Sequence, residues 1–255
     1  MKIWVLSKKN GIVLVGLSLI LLVSLVIGRN LSVTVSGKNK DLPIYCVDTG
    51  DKKLMSLSFD AAWGNEDTEQ LIEILGKYNV KATFFVVGEW VDKYPESVKA
   101  LHDAGHEIMN HSDTHPHMTS LSEEKMVKEI NDCNDKIEKI TGIRPTLFRP
   151  PYGDYNNTVV KAVRDCGSYC IQWSIDSLDW KDLSADEIFK RVTDKAAPGG
   201  IVLFHNAAKN TPEALTPILD RLQSDGYELV PISQLIYADN YEIDLTGKQY
   251  LKSEI

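Results

Sequence analysis

Five short clusters of polar and ionisable residues lie between positions 59 and 205, and each follows a short apolar run typical of a β-strand. The clusters are Phe59-Asp60, His111-Ser112-Asp113-Thr114-His115, Arg149-Pro150-Pro151-Tyr152-Gly153, Asp176-Ser177-Leu178-Asp179-Trp180 and Leu203-Phe204-His205. Carboxylates, imidazoles and a guanidinium together can supply a general base, a general acid and metal ligands. Their recurrence at strand exits predicts one active site at the strand ends of a β/α barrel.

The second cluster has the residue types and spacing of a metal site. His111 and His115 are four residues apart, so both imidazoles can reach one divalent ion, for which zinc with an open water position is the default prediction. The alternative is that they are surface or capping histidines. We expect that ordinary role for the nearby His102, His106 and His117.

The remaining clusters offer an acid and a base. Asp60 ends the first predicted strand, where its carboxylate could be a general base, a metal ligand or only a helix cap. Arg149 is expected to be buried, to pair with Asp60 and to keep it ionised. His205 is predicted to be the general acid, with Asp176 holding its second ring nitrogen and raising its pKa. Each acid taken alone could instead be a solvated loop carboxylate.

These residues need a scaffold, and the apolar pattern predicts an alternating α/β one. Seven strands are predicted, at residues 54–59, 82–87, 107–109, 146–148, 169–175, 200–204 and 228–230. The segments between them show the apolar spacing and capping residues of helices. Seven β/α units approach the length of a β/α barrel but fall short of the usual eight.

The N-terminal segment differs from the rest of the chain. Residues 11–28 are almost wholly apolar and follow several lysines, which predicts a membrane-spanning signal-anchor with a cytoplasmic N-terminus. A cleaved secretory signal is the alternative, although no Ala-x-Ala site follows. The predicted organisation is a cytoplasmic stub and anchor at 1–30, a linker at 31–52, a catalytic domain at 53–240 and a C-terminal tail at 241–255.

Composition narrows the range of partners. A hydrophobic content of 43% and a charged content of 25% are ordinary for a globular protein. From Asp41 onward the chain has 22 basic and 36 acidic side chains, a net charge of −14, so nucleic acid is not an expected partner. The four cysteines form no paired CxxC motifs, and a disulfide between Cys166 and Cys170 is left open.

Together the clusters resemble the polysaccharide deacetylase family, the carbohydrate esterases built on the NodB-type domain, over roughly Lys53 to Leu235. The resemblance implies a distorted (β/α) barrel and metal-dependent removal of acetyl groups from N-acetylated sugars. It also implies roles: a base (Asp60), metal ligands (His111, His115), a residue orienting the base (Arg149), an acid (His205), its tuner (Asp176), and substrate contacts (Tyr152, Asp179, Trp180).

One position departs from the family pattern. The family's first motif normally has two consecutive aspartates, the second being a metal ligand, whereas Ala61 follows Asp60 here. The form Phe-Asp-Ala-Ala-Trp-Gly looks like the subgroup linked to bacterial sporulation. Three outcomes are open: weaker metal binding by the histidines with Asp60 or Asp113, recruitment of another acid such as Glu66 or Asp67, or much reduced catalysis.

The resulting functional prediction is a membrane-anchored, extracytoplasmic N-deacetylase of peptidoglycan or a related N-acetylglucosamine polymer. Its expected partners are the cell-wall glycan and, through the N-terminal helix, the membrane. A glycan-binding domain with reduced catalysis is the alternative, because of Ala61. A metallopeptidase is disfavoured, since the chain has no His-Glu-x-x-His motif.

Overall fold

The computed structural model describes residues 41–252. The predicted anchor at residues 1–30 and the first part of the predicted linker lie outside the described residues. Across residues 41–252, every helix is too short or too polar to cross a bilayer.

Strands and helices alternate along most of the described chain. The strands are β1 (Cys46–Val47), β2 (Leu54–Ala61), β3 (Thr83–Val86), β4 (Glu107–Asn110), β5 (Leu147–Phe148), β6 (Tyr169–Cys170), β7 (Ile175–Asp176), β8 (Ile201–His205), β9 (Glu228–Leu229), β10 (Tyr241–Ile243) and β11 (Lys248–Leu251). The α-helices are α1 (Thr68–Lys77), α2 (Gly88–Lys93), α3 (Pro95–Asp103), α4 (Glu123–Thr141), α5 (Asn157–Asp165), α6 (Ala185–Thr193), α7 (Thr211–Ser224) and α8 (Ile232–Leu235).

Local sequence signals set several helix ends. Ser184 and Glu187 form the expected capping box of α6. Helix α4 ends at Gly142, which has a φ of 73°, a left-handed conformation that glycine adopts at little cost. Cys166 follows α5 directly and Cys170 ends β6; neither is in a disulfide.

Strand β2 is the centre of the main sheet. The strand order is β6-β5-β4-β3-β2-β8-β7, with β9 pairing with part of β2, and all of these pairings are parallel. Seven of the eight β2 residues are buried. Phe59 stacks on Phe84 and on Phe204, with ring centroids 4.9 and 5.3 Å apart. Parallel sheets covered on both faces need such continuous apolar strands.

The connection between β6 and β7 makes this sheet curl. The two strands are at opposite ends of the sheet, although only four residues separate them in sequence. That connection reaches at most about 18 Å, whereas the outer strands of a flat seven-stranded sheet lie about 29 Å apart. The expected α/β barrel-like fold is therefore confirmed as a curled, open parallel sheet. The single predicted strand at 169–175 was wrong, because it is two short strands at the two edges.

Part of the predicted linker fills the opening between those edges. Ile44 donates its N–H to the Cys170 carbonyl at 2.9 Å and accepts from the Gln172 N–H at 2.8 Å. Val47 donates to the Gly199 carbonyl at 3.0 Å. A Cβ on Gly199 would lie 1.7 Å from the Val47 carbonyl oxygen, so only glycine permits this approach.

Strand β1 also joins the predicted tail in a second sheet. It pairs in parallel with β11, which pairs antiparallel with β10. Describing residues 41–52 as a linker and 241–252 as a tail was therefore wrong. The strands concerned are two to four residues long, too short for an alternating pattern to reveal, and they form because they satisfy backbone groups of distant segments.

Candidate active site

A cavity of about 490 Å³ lies where the carboxyl ends of the central strands meet. Most of the predicted site residues line it: Asp60, His111, His115, Tyr152, Asp176, Trp180 and His205. Arg149 and Asp179 lie behind this wall, fully or almost fully buried. The parallel sheet brings these residues together because all its strands end at the same edge.

A buried ion pair between Arg149 and Asp60 lies behind the cavity lining. Arg149 directly follows β5, is 0% exposed, and donates from Nη1 to Asp60 Oδ1 at 2.7 Å. Its Nη2 donates to Ser58 Oγ at 2.9 Å and to the Gln172 carbonyl at 3.2 Å. The guanidinium also lies over the Phe85 ring, 4.1 Å from its centroid. A buried guanidinium needs such a paired and hydrogen-bonded setting.

This pair keeps Asp60 in its basic form. Burial by itself would raise the pKa of Asp60, but the charge and the hydrogen bond of Arg149 hold that pKa below its ordinary value. The carboxylate is therefore ionised at neutral pH. Its second oxygen, Oδ2, lies 3.4 Å from Nε2 of His111.

Both predicted metal-binding histidines line the same cavity as this carboxylate. Nδ1 of His111 lies 2.7 Å from the Arg149 carbonyl and donates its hydrogen there, which leaves Nε2 as the lone-pair nitrogen. The ring centroids of His111 and His115 are 5.0 Å apart. Burial lowers the pKa of His111 and lowers that of His115 to about 4, so both imidazoles are neutral near pH 7, the form that binds metals.

The donor set nevertheless does not fit a catalytic zinc site with three protein ligands. Within residues 41–252, no three His, Cys, Asp or Glu side chains are grouped so as to hold a metal. Ala61 is fully buried in the apolar core. Asp113 pairs with Lys136 at 2.6 Å. Asp60 cannot serve fully both as third ligand and as base.

His205 is held by Asp179, and the predicted partner Asp176 was wrong. Nδ1 of His205 lies 2.8 Å from Asp179 Oδ1, and Asp179 Oδ2 accepts from the His205 backbone N–H at 2.8 Å and from Thr211 Oγ1. Asp176 instead accepts a hydrogen bond from the Leu178 N–H at 2.9 Å, so one of its oxygens stabilises a local turn. Leu178 has a φ of 55°, so the chain reverses between the two carboxylates.

Asp179 raises the pKa of His205. Burial by itself would lower this pKa, but the Asp179 hydrogen bond and charge, with smaller contributions from Asp60 and Asp176, raise it above the ordinary value. Since Asp179 is 1% exposed, its predicted role in contacting substrate was also wrong. His205 and Asp60 are paired residues of adjacent strands, so the predicted acid and the predicted base lie side by side.

Aromatic rings surround the mouth of the cavity. Trp63, Tyr152 and Trp180 are 45%, 61% and 52% exposed, unusual values for such large side chains. The Trp63 ring stacks on His205 with centroids 5.5 Å apart. Tyr152 packs edge-on against His115 at 4.6 Å. Exposed rings around a concave site with a few ionisable groups are typical of a binding surface.

Sequence reasoning missed three contributors to the site. Trp63 and Trp173 line the cavity. Gln172 is 2% exposed. Its backbone carbonyl accepts a hydrogen bond from Arg149, and its side-chain Nε2 donates to the Gly153 carbonyl at 3.1 Å. The position of Trp63 just after β2 was a usable signal. Nothing in the sequence marks Gln172, because its main role uses a backbone carbonyl.

Comparisons with known proteins agree with this site. The polysaccharide deacetylase family model matches residues 47–171. The peptidoglycan-N-acetylmuramic acid deacetylase PdaA of Bacillus subtilis (strain 168) is 32% identical over 190 residues, which cover 73% of this chain and 72% of that protein. The peptidoglycan-N-acetylmuramic acid deacetylase PdaC of the same strain is 39% identical over 72% of this chain but only 39% of its own length.

Solved structures give the same result. BA3943, a CE4 family pseudoenzyme from Bacillus anthracis, superposes with a TM-score of 0.71 and 37% identity, covering 79% of this chain and 70% of that one. The chain belongs to the polysaccharide deacetylase family, a class of hydrolases that cleave carbon–nitrogen bonds of amides. It spans well under half the length of PdaC.

We predict that Asp179→Asn lowers the pKa of His205 much more than Asp176→Asn does. The first change removes the charge hydrogen-bonded to Nδ1, whereas the second removes a charge without that bond. Titration of the His205 ring signals by NMR in both variants and the wild type is the measurement. An equal decrease in the two variants would restore Asp176 as the partner of His205.

Proposed function

We propose that this protein removes acetyl groups from N-acetylated cell-wall glycan, either peptidoglycan or a related N-acetylglucosamine polymer. One observation carries the proposal: a buried, ionised Asp60 and an Asp179-supported His205 lie on adjacent strands at one cavity. Amide hydrolysis needs both a base for water and an acid for the departing amine.

Asp60 is the base of the proposed reaction. Arg149 keeps it ionised and fixes its orientation through Oδ1, leaving Oδ2 to accept a proton from water. The water oxygen then attacks the acetyl carbonyl carbon, which becomes tetrahedral. A fixed, partly desolvated carboxylate is better suited to this step than a mobile surface one.

His205 is the acid. Its Nδ1 is held by Asp179, so Nε2 is the nitrogen available to the cavity that His205 lines. A raised pKa favours the protonated form of the ring, which is the form that can donate a proton. Nε2 then protonates the sugar nitrogen as the carbon–nitrogen bond cleaves, releasing acetate and a free amine.

The aromatic mouth supports a sugar as the substrate. Trp63, Tyr152 and Trp180 expose flat faces next to the acid–base pair, and the apolar C–H faces of a pyranose pack well on such rings. The relatives support the same class of substrate, because PdaA and PdaC are both peptidoglycan-N-acetylmuramic acid deacetylases.

A glycan-binding protein with little or no catalysis is the second candidate. It is favoured by the donor set, in which two histidines lack a third ligand and Ala61 is buried in the core. The likeness to BA3943, described as a pseudoenzyme, supports it too. A mutant of BA3943 is described as having restored activity, so loss of catalysis on this fold is reversible in at least that protein.

We also propose that residues 1–30 anchor the protein in the cell membrane, with the catalytic domain outside the cytoplasm and a role in sporulation or envelope modification. The apolar run and its preceding lysines support this. In intact spheroplasts, added protease should degrade the catalytic domain, while a cytoplasmic marker protein survives. Survival of the domain until the cells are lysed would contradict this topology.

We predict that Asp60→Asn abolishes acetate release, because an amide cannot take a proton from water. His205→Ala should lower turnover by at least about a hundredfold with little effect on binding, since the acid acts mainly in the transition state. Acetate release from peptidoglycan and from chitin oligomers is the measurement, with Glu124→Gln as an exposed control. Near-normal turnover in both site variants would exclude the assigned roles.

The missing third ligand is tested with Ala61→Asp. Without metal, the new buried carboxylate should lower the free energy of unfolding by about 2 kcal/mol or more. Zinc should recover that loss if the carboxylate completes a site with His111 and His115. Zinc affinity by calorimetry should rise more than tenfold above the wild type, with His111→Ala as the control. Equal zinc affinity in the variant and the wild type would contradict the missing-ligand explanation.

A further inference from the structure

His117 lies two residues beyond His115 and was expected to be an ordinary surface histidine. Its ring instead stacks on Tyr152, with the two ring centroids 4.2 Å apart and 20° between the ring planes. Tyr152 lines the cavity, whereas His117 does not. The direct route from His117 to a ligand in the cavity is therefore the Tyr152 ring.

Asp154 and the adjoining turn fix the position of His117. Nδ1 of His117 lies 3.4 Å from Asp154 Oδ2, and the same oxygen accepts a hydrogen bond from Thr119 Oγ1 at 2.5 Å. The His117 carbonyl accepts a hydrogen bond from the Ser120 N–H at 3.0 Å, and Met118 is fully buried in the apolar core. The His117 backbone is therefore fixed, although its side chain is 63% exposed.

Tyr152 is a residue whose orientation needs such support. Its φ of 60° is a left-handed conformation that is unusual for a bulky side chain, and 61% of its surface is exposed. Its aromatic neighbours among residues 41–252 are His117 and His115. An exposed tyrosine without a stacked partner can sample several rotamers, whereas the stack with His117 favours one of them.

A ring that is already held in place binds a ligand at a lower entropy cost. Ordering a mobile side chain costs free energy at the moment of binding, and the stack with His117 removes part of that cost before the ligand arrives. Stacked aromatic rings also attract each other. The imidazole covers one face of Tyr152, so a sugar can reach only the part of the ring that borders the cavity.

We propose that His117 is a positioning residue for glycan binding, which holds the Tyr152 ring in the orientation on which a sugar packs. Asp154 holds His117 in turn. The inference rests on the proposed function, because it takes Tyr152 as part of the aromatic mouth that receives the glycan.

Calorimetry on the full chain tests this, with the β-1,4-linked tetramer of N-acetylglucosamine as the probe. His117→Ala should weaken binding by about fivefold, because the ligand must then order the tyrosine. His117→Phe should stay within about twofold of the wild type, because a stacked ring is retained. In acetate release, His117→Ala should raise KM and keep kcat within about twofold of the wild type, since the ring binds ground state and transition state alike. A merely structural histidine would instead reduce the folded fraction and with it kcat.

A double-mutant cycle tests the route through Tyr152. Tyr152→Ala should weaken tetramer binding, and adding His117→Ala should weaken it little further, because the imidazole acts through that ring. The matched control is His102→Ala, which removes an imidazole of α3 outside the cavity lining and should bind the tetramer as the wild type does.

Three results would each overturn the positioning role: wild-type affinity in His117→Ala, no recovery in His117→Phe, or additive effects of the His117 and Tyr152 substitutions. Acetate release by the wild type would then still support the proposed function. If the wild type neither binds the tetramer nor releases acetate, the proposed function fails and this inference fails with it.

Discussion

The buried ion pair between Arg149 and Asp60 is the interaction on which the rest of the site depends. Arg149 is fully buried, so its charge is tolerated only because Asp60, Ser58 and the Gln172 carbonyl accept its hydrogens. Removing one partner of such a pair typically costs about 3–5 kcal/mol. The same contact that stabilises the guanidinium keeps Asp60 ionised and aims its second oxygen at the cavity. Stability and basicity therefore have a common origin.

The curled sheet places the partners of that pair. Asp60 is the penultimate residue of the central strand β2, Arg149 follows β5, and Gln172 lies in the short connection that forces the sheet to curl. Ile44, from the segment that fills the opening, accepts a hydrogen bond from Gln172. A chain of backbone contacts thus links residues before the barrel to the guanidinium. The orientation of Asp60 therefore depends on the same contacts that close the curled sheet.

The site combines the proposed acid–base pair with an incomplete metal-binding set. Asp60 and His205 each have a buried supporting partner, whereas His111 and His115 lack the third protein ligand of a catalytic zinc site. Under either candidate function, the aromatic mouth is the proposed binding surface. Glycan recognition is accordingly common to both candidate functions, and catalysis is what distinguishes them.

The sequence by itself determined the α/β class, the order of the five clusters and the partnership of Asp60 with Arg149, because apolar strands and their polar exits are local signals and a buried guanidinium needs a carboxylate. Tertiary structure alone decided the rest. Asp176 and Asp179 are three residues apart and chemically alike, and only the turn at Leu178 determines which of them reaches His205. Residues 44–47 are too few for an alternating pattern to identify a strand, yet they pair with distant strand edges whose backbone groups need hydrogen-bond partners.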